Sequence, residues 1–236
     1  SYNTKVEYIH ACLESIKHQI GHFNMEIVWI NDGSDDLHTQ LLKKALEHFE
    51  RTTRFVTIVY SENEGNKGIG YTLNCGVEMC SHEIIVKMDS DDMMVPDRIK
   101  KQLEYMENNP EVKICGAQIK MFQDNGNVVS KTNHPSLTWE QYKKRPSYWF
   151  MNHPTVCYRK SAVLEVGNYN KEMKKKAEDF ELELRMLKRY GYVHNSDEEL
   201  LNYRLHEKQA TYKGGEGGQE YWTNVQNEII SNMINE

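Results

Sequence analysis

Three carboxylates fall within four residues at Asp89-Ser90-Asp91-Asp92, directly behind the largely apolar run Glu83 to Met88. Such a run reads as a buried strand, and in open α/β sheets ligands settle in the crevice outside the carboxyl ends of the strands. An Asp-x-Asp placed there repels itself unless a cation offsets it. Hard oxygen donors suit Mg2+ or Mn2+, which take one or two protein carboxylates and complete their shell with phosphate and water. The chemistry expected is therefore a divalent cation carrying a phosphorylated substrate. A turn whose acids cap the following helix is the competing reading.

The elements that must position this cluster alternate between helix and strand. Val6, Ile9, Leu13, Ile16 and Ile20 recur at helical spacing between a Thr4-x-x-Glu7 capping box and Gly21. A short β-rich run, Met25 to Ile30, ends in Asn31-Asp32-Gly33-Ser34-Asp35, and Leu37 to Phe49 carries a second amphipathic pattern. Strand Arg54 to Tyr60, a polar loop at Ser61 to Gly68 and a helix through Leu73 and Val77 lead to the acidic strand end. A helix from Pro96 and a strand from Val112 to Ile119 complete a first half of βαβ type, with a mainly parallel sheet expected.

Regularity then breaks. Asp124-Asn125-Gly126 marks a hairpin turn, and an aromatic-rich polar stretch runs from Asn133 to Asn152. Strand Thr155 to Arg159, helix Ser161 to Val166, a helix opened by Glu178-Asp179 and stopped by Gly191, and strand Leu200 to His206 follow. The glycine-rich Lys213 to Gly218 reads as a mobile loop ahead of a helix from Gln219 to Met233.

Composition limits the function classes. The chain has 236 residues, 27% charged and 39% hydrophobic, with a formal net charge of −6, which argues against a nucleic-acid partner. Its five cysteines contain no C-x-x-C and read as reduced core thiols, so a cytoplasmic protein is expected, free or peripheral to the cytosolic membrane face. No apolar run reaches membrane-spanning length.

Several segments in order carry a resemblance to the inverting glycosyltransferases of family two: Ser1-Tyr2-Asn3, Glu26 to Asp35, Asn63-x-Gly65 with Leu73-Asn74-x-Gly76, the acidic strand end, His153-Pro154-Thr155-x-x-Tyr158-Arg159, Gly167-x-Tyr169, Glu178-Asp179-x-x-Leu182-x-x-Arg185 and Tyr203-Arg204-x-His206. The resemblance implies a GT-A fold, α/β and Rossmann-like, in one domain with a nucleotide-binding half (1–120), a mixed acceptor-side half (121–212) and a loop with C-terminal helix (213–236). It also implies a nucleotide-sugar donor, a UDP-sugar being favoured, and a saccharide, glycan or glycoconjugate acceptor. Family members begin with a hydrophobic strand that ends in the Ser1-Tyr2-Asn3 segment, so a chain starting at Ser1 is expected to lack it and to leave a sheet edge unpaired.

What the resemblance implies for the site is specific. Asp91 coordinates Mn2+ or Mg2+; His206 adds a ligand to the metal or a hydrogen bond to the diphosphate, although a strand-end surface histidine would read the same; Asp89 binds the ribose, or the metal through water, and Asp92 supports either. Arg204, two residues from His206 and so on one strand face, offers a guanidinium to the diphosphate. Asp32 receives a nucleobase N–H with Tyr2 stacked beside it, although an Asp-Gly turn would use the same residues. Lys67 and Asn74 steady the nucleotide or serve only the loop and helix that carry them. Asp179 is the general base with Glu178 beside it, kept ionised by the helix dipole; on the residues alone, capping explains both acids. Trp149 and His153 flank the acceptor, with Trp149 equally suited to a core.

Other classes fit less well. A sugar-phosphate nucleotidyltransferase needs a Gly-rich phosphate loop near its start, and a haloacid-dehalogenase-type phosphotransferase needs Thr where Met93 stands. A non-catalytic binding module, or a fragment of a larger protein, is the remaining alternative.

Overall fold

The computed structural model describes residues 1–147, 149–173, 177–207, 209 and 218–235, with side chains of the last segment from 223 onward. Its first half runs α1 (Val6–Lys17), β1 (Met25–Asn31), α2 (Asp36–Thr52), β2 (Val56–Glu62), α3 (Ile69–Met79), β3 (Ile84–Val86), β4 (Met93–Met94), α4 (Arg98–Asn108) and β5 (Ile114–Gln123). The second half runs β6 (Val128–Lys131), β7 (Leu137–Thr138), α5 (Trp139–Lys144), a 3-10 turn at His153–Thr155, β8 (Cys157–Arg159), α6 (Lys160–Glu165), α7 (Glu178–Tyr190), β9 (Tyr192–Leu205) and α8 (Gly218–Asn235). Lys174 to Lys176 and the expected loop at 213–217 lie outside the described residues.

Local sequence explains most boundaries. Asp35 caps α2 by accepting from the His38 N–H at 2.9 Å, and Gly191 ends α7 in the left-handed region at φ 78°. The capping box expected at Thr4 does not form. The Thr4 hydroxyl lies 3.2 Å from Ser90 Oγ instead, so α1 starts one residue later than that box would set and its entry is tied to the acidic strand end.

The α/β class holds, but pairing is mixed rather than mainly parallel. Parallel ladders join β1 to β2 and β5 to β9, while β3–β8, β5–β8, β4–β9, β5–β6 and β7–β9 are antiparallel. β9 accounts for the difference: it runs fourteen residues from Tyr192, twice the length expected from Leu200 to His206, and lies alongside β5 through the centre of the second sheet. Residues Val193 and Asn195 on it are buried, and Asn195 satisfies the Pro135 and Phe150 carbonyls, a polar signal that hides the strand in the sequence.

The sheet is also divided. β1 and β2 stand apart from the seven-stranded sheet, and no ladder joins β1 to β3 among the described residues. Ser1 begins to fill the gap: its amino group donates to Ile30 O at 2.7 Å and its carbonyl accepts from Asp32 N at 2.8 Å, the pattern of a parallel bridge opposite Asn31. Behind Ser1 the apolar edges of β1 and β3 line a cleft of about 1650 Å³ that continues to the acidic strand end. Extending the chain ahead of Ser1 by an apolar strand as long as β1, seven residues, is expected to pair both edges and raise the melting temperature, by roughly 2–4 °C for each kcal/mol gained. An unchanged melting temperature would show that these edges do not accept a strand.

Candidate active site

Asp89 to Asp92 turn sharply behind β3, and buried groups fix that turn. Arg98, with no exposed surface, donates from Nη2 to Lys87 O at 2.7 Å and from Nε to Gln102 Oε1 at 2.9 Å; burial pulls its guanidinium down to about 10. Asp92 is 1% exposed and accepts from Arg204 N at 2.8 Å, while its second oxygen has no partner. Burial, then the charges of Asp89 and Asp91, push its carboxyl well above the usual range. Asp92 therefore pins the turn to β9 and is itself out of reach of a ligand.

Asp91 and Asp89 point to different partners. His206 Nε2 lies 2.9 Å from Asp91 Oδ2, so the first two expected metal ligands meet. Asp89 accepts instead from Lys87 Nζ at 2.5 Å, and no three His, Cys, Asp or Glu side chains gather into a cage among the described residues. Two protein ligands suit Mg2+ or Mn2+ when phosphate oxygens and water fill the remaining positions, so the donor set fits such an ion.

The nucleotide-side residues separate. Tyr2, about half exposed, and Asp32 line the cleft. The Asp32 carboxylate accepts from Lys67 N, Gly68 N and Asn63 Nδ2 at 2.9, 3.0 and 2.7 Å, which clamps the loop after β2 onto the end of β1. Gly33 makes that crossing possible, since a Cβ there would sit 2.2 Å from the Gly65 backbone. Lys67 contributes its main chain, with its exposed side chain outside the cleft lining. Asn74 is buried away from the cleft, donating to Tyr169 O at 2.6 Å. Arg204 lies between the Tyr8 and Phe122 rings, donates to Asp124 Oδ1 at 2.6 Å and to Asp91 O at 2.9 Å, and is absent from the cleft lining. Its guanidinium braces the hairpin turn against the acidic strand end.

Across the cleft stand Glu178 and Asp179, at the first turn of α7 behind Ala177, whose φ is 59°. The family resemblance has the helix dipole keeping Asp179 ionised. In the structure burial raises its carboxyl, opposed by the 2.7 Å bond from Phe180 N and by the Lys87 charge. Glu178 is raised to about 8, by burial and then by Asp179, so it is protonated at neutral pH.

Three participants, Glu183, Lys87 and Asp124, belong to none of the sequence-predicted site residues. Glu183, 4% exposed, contacts His153 Nδ1 at 2.9 Å, and His153 Nε2 lies 3.0 Å from Tyr169 OH. Burial drives the Glu183 carboxyl well up and the His153 imidazole well down, which favours the neutral form of each. A glutamate on the apolar face of the α7 pattern is a signal the sequence does carry, as is Lys87 inside an apolar strand. Asp124, in an ordinary turn sequence, gives none.

The sequence model described as glycosyl transferase family 2 matches residues 1–167, well over half the chain. The chain belongs to glycosyl transferase family 2. This glycosyltransferase is 29% identical to the amylovoran biosynthesis glycosyltransferase AmsE of Erwinia amylovora, over 95% of this chain and 79% of the relative. It is 30% identical to the O-antigen biosynthesis glycosyltransferase WbnJ of Escherichia coli, over 86% of this chain and 76% of the relative. S. aureus TarS 1-349 in complex with UDP-GlcNAc shares the fold, with TM-score 0.67 and 21% identity over 89% of this chain. The chain spans 58% of that structure's length. No helix among the described residues is long and apolar enough to cross a membrane.

A folded carboxyl raised to about 8 contributes stability that is fully present below its unfolded value near 4.5 and is lost as pH rises through about 8. The metal-free glycosyltransferase is therefore expected to melt lower at pH 9 than at pH 6, and Glu178→Gln to shrink that difference. Equal pH dependence in wild type and variant, followed by calorimetry, would contradict the raised value.

Proposed function

We propose that this glycosyltransferase moves a sugar from a nucleoside-diphosphate sugar, a UDP-sugar, to a hydroxyl of a saccharide or glycoconjugate, with metal assistance and inversion at the anomeric carbon. One observation carries the reading: the acidic strand end at Asp89 to Asp91 and the helix start at Glu178-Asp179 line one cleft from separate elements. That separation suits a reaction with charge building at both ends, a leaving diphosphate and an attacking hydroxyl. TarS is seen in complex with UDP-GlcNAc, and the relatives' names concern amylovoran and O-antigen biosynthesis, which supports a nucleotide-sugar donor and a role in polysaccharide assembly.

Asp91 and His206 would hold the divalent cation, which when bound supplies positive charge against the departing diphosphate. Tyr2 stacks on the base at the cleft mouth, and Asp32 fixes the loop against which the nucleoside rests. Glu178, protonated, donates a hydrogen bond to the acceptor. Asp179 takes the proton of the acceptor hydroxyl as that oxygen bonds to the anomeric carbon. The bond from the anomeric carbon to the diphosphate oxygen breaks on the opposite face, and its electron pair leaves with the diphosphate. Trp149, half exposed on the cleft wall, offers an aromatic face to a sugar ring.

Losing a general base costs about 10²–10⁴-fold in rate. Asp179→Asn is expected to lose turnover of UDP-sugars on that scale while keeping UDP affinity, whereas Asp91→Asn is expected to weaken Mn2+-dependent UDP binding by calorimetry. Lost UDP binding in Asp179→Asn, with the rate per bound donor intact, would make Asp179 a structural cap.

A further inference from the structure

Lys87 is an unusual residue for its place. It follows β3 inside an apolar strand sequence, its side chain is 6% exposed, and its backbone is held on both sides, N–H to Val156 O at 2.9 Å and carbonyl to Arg98 Nη2 at 2.7 Å. An ammonium costs several kcal/mol to bury without partners. One partner is visible, Asp89 Oδ1 at 2.5 Å. The cleft it lines also holds Glu178 and Asp179, and among the described residues the other lysine or arginine lining that cleft, Lys5, is bonded to the Tyr8 hydroxyl.

We propose that Lys87 is a positioning residue for sugar transfer, holding Asp89 on the donor side while its charge sets the field in which Asp179 works on the acceptor side. This rests on the reading of Asp179 as the base. The buried Lys87 cation thereby couples the two halves of the site, whereas the Asp91–His206 pair serves the donor half alone.

The groups facing Asp179 can be named. Lys87 and Asp89 face it from the end of β3, Glu178 and Glu183 from its own helix, and Tyr169 and His153 from the turn and loop packed against that helix. Of these, burial lowers His153 and raises Glu183, and Lys87 supplies the positive charge. Its influence extends over Asp92, Glu178, Asp179 and Glu183, in each case favouring the ionised carboxyl.

The test uses UDP-GlcNAc with Mn2+ as probe and reads UDP release against pH for wild type, Lys87→Met and Lys87→Arg. Lys87→Met should move the acid limb of kcat/KM upward by about one pH unit, and Lys87→Arg should restore it. A rate lowered evenly at every pH in Lys87→Met, with no movement of the limb, would overturn the proposal and leave Lys87 a packing residue. A second measurement needs no turnover: the fall in melting temperature between pH 6 and pH 9 in the metal-free protein. Without the Lys87 charge the carboxyls of Glu178 and Asp179 rise further, so Lys87→Met should show a larger fall than wild type; an equal fall contradicts the proposal. If Asp179→Asn keeps the wild-type acid limb, the base assignment fails, and the melting comparison still decides Lys87.

Discussion

Carboxylates crowded around one cleft repel each other, and the fold is arranged to contain that repulsion. Asp89, Asp91, Glu178 and Asp179 line the cleft, with Asp92 and Glu183 buried behind them. Removing such groups from water penalises their charged forms, and neighbouring negative charges add to the cost. Two buried cations and a set of backbone bonds answer it: Lys87 on Asp89, Arg98 beneath the strand end, and the Arg204 N–H on Asp92. At Glu178 and Glu183 burial outweighs the Lys87 charge, and both carboxyls are raised.

That arrangement assigns different states to neighbouring acids. Burial and the Asp179 charge raise Glu178 to about 8, while at Asp179 the Phe180 N–H and the Lys87 charge oppose the same burial. On the donor side, Asp89 is neutralised from within by Lys87, and Asp91 is left to meet His206. The hairpin turn contributes at a distance, because Asp124 holds Arg204 and Tyr8 together and so braces the strand on which His206 is carried.

The chemistry is more legible in the sequence than the scaffold is. The acidic strand end, the helix opened by Glu178-Asp179 and the Gly191 stop are local signals, and each stands where its spacing puts it. β9 is half hidden because its first residues alternate buried apolar and buried polar groups, with Val193 close to Asn195, and buried Asn195 reads as loop until its carbonyl partners are known. The mixed pairing is not legible, since strand direction depends on contacts across more than seventy residues, as between Cys115 and His194. Asn74 and Arg204 show the same limit at the site: their types suit a nucleotide, and tertiary partners at Tyr169 and Asp124 claim them.

The proposed transfer needs a base and a leaving group acting from opposite sides of one carbon, with no carboxylate acting as a covalent nucleophile. Stereochemistry reads this directly. Proton NMR of the sugar released from a UDP-α-sugar, recorded before mutarotation with water as acceptor, is predicted to show the β-anomer forming first. An α-anomer forming first would mean a double displacement, and would contradict the roles assigned to Asp179 and Glu178.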